Sequence, residues 1–117
     1  MRRSLGTEDR QEPKAFRVFT DRAYGYGIDF RLENGRCRLF DYIERQDMDY
    51  DPDAGTITLV GTNKRVTILG INLKGLYQLM LDREVGEITE RHEPEHMMQV
   101  ITTDGGCYIQ EIRWEAV

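Results

Sequence analysis

Serine occurs once in this chain, at Ser4, so Ser-His-Asp hydrolysis is excluded from the start. Cysteine occurs twice, as Cys37 and Cys107, and never as a C-x-x-C pair, which removes the thioredoxin-type redox motif. There is no glycine-rich phosphate loop and no dinucleotide fingerprint. No apolar run approaches the ~20 residues of a membrane-spanning helix, so no membrane partner is expected. Arg2 and Arg3 have no apolar stretch behind them, so the chain shows no secretory signal and the cytoplasm is the expected address. In that compartment both thiols are expected to be free. Both also fall in strand patterns that suggest burial, where a thiol is inert. A Cys37–Cys107 disulfide would need adjacent strands and oxidising surroundings.

What is present is the composition of a globular chain. Its 117 residues suit one domain, and 39% are hydrophobic against 32% charged. Residues 1–14 are polar, lack periodicity and end at Pro13-Lys14; they read as a flexible tail before a single globular unit at 15–117. The net charge is −5, which disfavours a nucleic-acid phosphate backbone as partner. The charge is blocked, however. Residues 39–55 hold one basic side chain against six acidic ones, and residues 56–83 hold four basic against one acidic. A folded surface can keep such blocks apart, so a nucleic-acid-associated small barrel stays as a second alternative.

The clearest pattern runs from Gly55 to Asp82. Ile57, Leu59 and Val60 form a β-branched run, Thr62-Asn63-Lys64 breaks it, and Val66, Ile68 and Leu69 resume it. After Gly70 the period changes. Leu73, Leu76, Tyr77, Met80 and Leu81 keep the spacing of one amphipathic helix near residues 72–83, with Asn72 placed to cap its first turn.

Around this centre the chain reads as short strands. Residues 15–21 alternate imperfectly. Residues 24–32 alternate cleanly, with Gly25 and Gly27 either packed against neighbouring backbone or left bare for a ligand. Asn34-Gly35 predicts a type I′ hairpin into residues 37–43, a strand apolar on both faces and so expected to be central or covered on two sides. Residues 47–51 alternate acids with Met48 and Tyr50, and Asp51-Pro52-Asp53-Ala54-Gly55 is a turn. Residues 83–89 give a possible strand. Residues 97–102 and 107–114 predict two more strands around a turn at Thr103-Asp104-Gly105-Gly106. The fold class is therefore α+β and strand-rich. It is an antiparallel meander of seven to eight short strands, as an open sheet or partly closed barrel, with one helix.

Four constellations could carry chemistry. His92-Glu93-Pro94-Glu95-His96 fits the zinc-protease string, but Pro94 breaks the helix that such a site requires. A looser metal site from His92, His96 and Glu95, with Glu93 or Cys107 nearby, is the remaining form. Asp47, Asp49, Asp51 and Asp53 fail the calcium-loop register in either frame and suit a solvated edge. Thr62-Asn63-Lys64-Arg65 with Lys74 offers a weak anion spot beside a helix start. Tyr24, Tyr26, Phe30, Phe40 and Tyr42 are a stacking platform or, more simply, core. No catalytic residues and no cofactor are assigned. The expected function is a small non-catalytic module that binds protein or its own copies. A metal- or small-ligand-binding domain using the His92–His96 loop is the alternative.

Overall fold

The structure, a computed structural model, describes residues 15–19, 26–91 and 93–117. The tail at 1–14, Tyr24, Gly25 and His92 lie outside the described residues.

The strands are β1 (Phe16–Val18), β2 (Gly27–Arg31), β3 (Cys37–Asp41), β4 (Asp47–Asp51), β5 (Thr56–Val60), β6 (Lys64–Ile71), β7 (Val85–Thr89) and β8 (Tyr108–Ala116). Two helices join them, α1 (Lys74–Leu81) and α2 (Glu95–Thr103), with a 3-10 turn at Tyr42–Glu44 after β3. The architecture is α+β, as the alternation predicts. The strands divide into two four-stranded sheets, ordered β1-β7-β2-β3 and β4-β5-β6-β8. Neither closes into a barrel. Pairing is antiparallel except between β2 and β7, which run parallel because β7 returns from α1 to lie between β1 and β2.

Ile28, Phe30 and Phe40 from the first sheet meet Ile57, Leu59, Val66, Ile68 and Ile109 from the second, all fully buried in one cluster. Leu73, Leu76 and Met80 of α1 close it on one side. Burying such side chains contributes about 1.5–3 kcal/mol each. Trp114 is partly buried, edge-on to Phe30 at 5.7 Å and to Phe40 at 6.3 Å. The Glu90 carboxylate joins the two sheets: Oε1 accepts from the Glu33 N–H and Oε2 from the Ile112 N–H, both at 2.8 Å.

The central hairpin forms as expected, with β5 and β6 in register from Thr56↔Leu69 to Val60↔Arg65. Gly27 is explained by packing, since a Cβ there would lie 2.1 Å from the Phe40 carbonyl oxygen.

Several local expectations are corrected. Residues 97–102 are helix, inside α2, not strand. Its apolar run is too short to separate the two periods. The glycine pair after it ends the helix instead of turning a hairpin. Gly105 takes φ +84°, its N–H bonds Thr102 O, and the Gly106 N–H bonds Ile101 O, both at 3.0 Å. That pattern satisfies the last helical carbonyls. Asn72 does not cap α1. It takes φ +58°, and its amide donates to Thr102 O at 3.2 Å and to Gly106 O at 3.0 Å. At Asn34-Gly35 only Gly35 has positive φ, so the turn is a three-residue loop, closed by Leu32 N–H to Arg36 O. In β8 a register shift opposite Leu69/Gly70 breaks the alternation, leaving Gln110 exposed and Ile109 and Ile112 inside.

Candidate functional site

The predicted metal loop is only partly assembled. Glu95 and His96 are consecutive residues in the first turn of α2, so their side chains diverge by about 100° around the helix. Glu93 and Pro94 precede the helix, and Glu93 is engaged by Arg91 at 2.6 Å. Glu95 faces Gln99, 3.5 Å away. His92 is outside the described residues, and among these no group of three His, Cys, Asp or Glu side chains gathers to hold a metal.

The thiols part company. Cys107 is half-buried, and burial pushes its thiol up to about 12, so it holds almost no thiolate near neutral pH. Cys37 is exposed, contrary to expectation. Its burial was inferred from the two apolar faces of the 37–43 stretch, but only the Phe40 face turns inward. Both cysteines are free.

The basic spot disperses. Lys64 bonds Glu44 at 2.9 Å and Arg65 bonds Glu115 at 3.2 Å. Lys74 begins α1, beyond the far end of β6, roughly 25 Å along the chain's path from Lys64. The aromatic platform is mostly core: Phe30, Phe40 and Tyr42 are buried, and the Tyr42 hydroxyl donates to Val85 O at 2.6 Å. Arg38 lies over Trp114, 4.4 Å from the ring centroid, close enough for a cation–π contact.

What remains is a sheet edge. The two sheets have four edge strands, and three are blunted. β1 is only three residues long. β4 carries Asp47, Asp49 and Asp51, all exposed, on one face. β8 is shielded by the segment after β7: the Arg91 N–H bonds Ile109 O at 3.0 Å, Glu90 takes the Ile112 N–H, and the Glu93 N–H bonds the Tyr108 hydroxyl at 2.9 Å. These are the usual protections against wrong pairing.

Among the described residues, β3 has none of them. The two apolar faces predict a strand that is central or covered on two sides; β3 is instead the last strand of its sheet, after β2, with its Cys37–Leu39 face exposed. Hydrogen bonds Leu32 N–H to Arg36 O and Tyr42 N–H to Tyr26 O bracket the β2–β3 ladder. Antiparallel alternation then directs Phe40 and Arg38 toward β2, and turns the N–H and C=O of Cys37, Leu39 and Asp41 toward the free edge. Leu39 is 57% exposed there, and Tyr26 and Ile43 at the same end are 81% and 82% exposed. The sequence held the signal in its apolar odd face, Cys37 and Leu39, but burial was the simpler reading of it. No family model, curated protein or solved structure matches the chain.

Proposed function

We propose that this chain is a small non-catalytic interaction module that binds protein, or its own copies, by adding a strand to the β3 edge. The observation that carries this reading is an edge that no other described residue covers: outward backbone groups at Cys37, Leu39 and Asp41, beside exposed Leu39 and Ile43. Strand addition of this kind takes affinity from main-chain bonds and specificity from alternate side chains. Two free thiols fit the expected cytoplasmic setting. No helix among the described residues is long and apolar enough to cross a membrane.

The test is mass under native conditions, with and without a chelator, on untagged protein and on Leu39→Lys. A chelator-insensitive complex, homomeric or with a second protein, that Leu39→Lys dissolves is the expected result. A monomer carrying one equivalent of metal, with no Leu39-dependent partner, would replace this reading with the metal-binding one centred on His96.

A further inference from the structure

We infer that the strand added to β3 is β3 of a second copy, paired antiparallel about a two-fold axis at Leu39. This deepens the interaction reading and rests on it. The argument is charge complementarity along one strand. The stretch begins with Arg36, has Leu39 at its middle and ends with Asp41; Arg38 is drawn over Trp114 and Glu44 is held by Lys64, so neither counts toward the pairing. An antiparallel partner of the same sequence lays its acidic end beside this basic end, and a parallel one sets like charges together. The two-fold arrangement is also the closed form of self-association, in which one patch serves both copies.

The parity of the ladder restricts the register. Only Cys37, Leu39 and Asp41 turn their backbone outward, so every exchanged pair joins two of them: a two-fold axis on Leu39 makes three such pairs, one on Arg38 or Phe40 makes two, and one on Cys37 or Asp41 makes one. Centred on Leu39, the pairing sets Leu39 opposite its counterpart and Cys37 opposite Asp41 on both sides, using every outward group. Centred on Cys37 or Asp41, the strands overlap at one end only and leave Leu39 without its counterpart. The outcome is one continuous sheet, ordered β1-β7-β2-β3 and then β3-β2-β7-β1 of the second copy. The exposed face of this sheet is already neutralised beside β3: Arg31 bonds Asp29 at 3.3 Å and Glu87 at 3.4 Å, and Arg17 bonds Glu87 at 3.6 Å. The other exposed edge long enough to pair, β4, would confront its own carboxylates in a second copy.

Thiol trapping distinguishes the registers. In the Leu39-centred pairing the two residue-39 Cα atoms stand about 5.5 Å apart, within disulfide reach. The two native Cys37 positions are offset by four residues, about 13 Å, and out of reach. The experiment is mild oxidation of three proteins: the native chain, Cys37→Ser/Leu39→Cys, and Asp41→Cys with Cys37 kept. The expected result is covalent dimer from the second and third and none from the native chain, with Leu39→Lys weakening the non-covalent dimer about tenfold or more. Thermal unfolding of each variant confirms that it folds. Covalent dimer from native Cys37, or a dimer that traps at none of these positions, overturns the register, and a dimer that Leu39→Lys leaves intact overturns the edge. A monomer overturns self-pairing; if Leu39→Lys still abolishes binding of a different protein, the interaction reading survives, and if not, both fall.

Discussion

Tyr42 shows how one buried polar group shapes stability with pH. Its ring is in the core, yet its hydroxyl finds the Val85 carbonyl at 2.6 Å, so the polar end is satisfied across the first sheet. Burial pushes its ionisation up to about 12, against the Val85 contact and the nearby Arg45 and Arg83, which act the other way. Burial does the same to Cys107, also to about 12. In the unfolded chain these groups release their protons near their ordinary values, 10.0 and 9.0. Between those values and about 12 the unfolded state therefore holds fewer protons than the folded one, and stability falls as pH rises. Below pH 9 both groups are neutral in both states and their contribution is whole. Urea unfolding at pH 7.5 and pH 10.5 is expected to show the loss. Tyr42→Phe should cost about 1 kcal/mol at the lower pH, through the missing bond and the carbonyl left behind, and should flatten the alkaline fall. An unchanged pH slope in that variant would place the titration elsewhere.

At the scale of elements, α1 and α2 show where sequence patterns are legible and where they are not. α1 has Leu73, Leu76 and Met80 at helical spacing over one buried stripe, and that period is readable without a structure. α2 has no fully buried residue; Met98 and Ile101 are half-buried and Met97 and Val100 exposed, so its apolar side is short and shallowly packed. A short apolar run that ends in β-branched Val100 and Ile101 reads as strand, and only the helix termination at Gly105 and Gly106 distinguishes the two. The same blindness hides the role of Asn72. A residue before a helix reads as a cap, but the αL backbone at Asn72 turns its amide to the end of α2, thirty-odd positions away. Asn72→Ala is expected to destabilise by roughly 2–3 kcal/mol, because it loses both bonds and places a Cβ residue in the left-handed region without local support. Asn72→Gly keeps the backbone and loses only the bonds, so about half that loss is expected. Equal losses in the two variants, by chemical denaturation, would show that the bonds carry the whole effect.

For the whole molecule, the strands were legible because each alternates locally, whereas their grouping was not, because it depends on contacts far apart in sequence. β3 was expected to be central or covered on two sides from its two apolar faces, and only the placement of β7 beside β2 leaves it at an edge. The candidate site was hidden for that reason: an edge is a property of sheet order, and no residue type announces it. The junction between the sheets is equally non-local. Glu90 leaves β7 in the first sheet and puts one oxygen on the Glu33 N–H and the other on the Ile112 N–H of β8 in the second. A carboxylate accepting two backbone donors contributes more than a neutral pair, about 1.5–3 kcal/mol for each bond. Glu90→Ala is therefore expected to lower stability by about 2–4 kcal/mol, and Glu90→Gln by less, because the amide keeps one acceptor oxygen. Amide hydrogen exchange locates the effect. If Glu90 couples the sheets, exchange in Glu90→Ala should accelerate at Ile112 and at Glu33 together, at opposite ends of the junction. Acceleration at Ile112 alone would mean that Glu90 only shields the β8 edge, and that the packing of Trp114 against Phe30 and Phe40 holds the two sheets together without it.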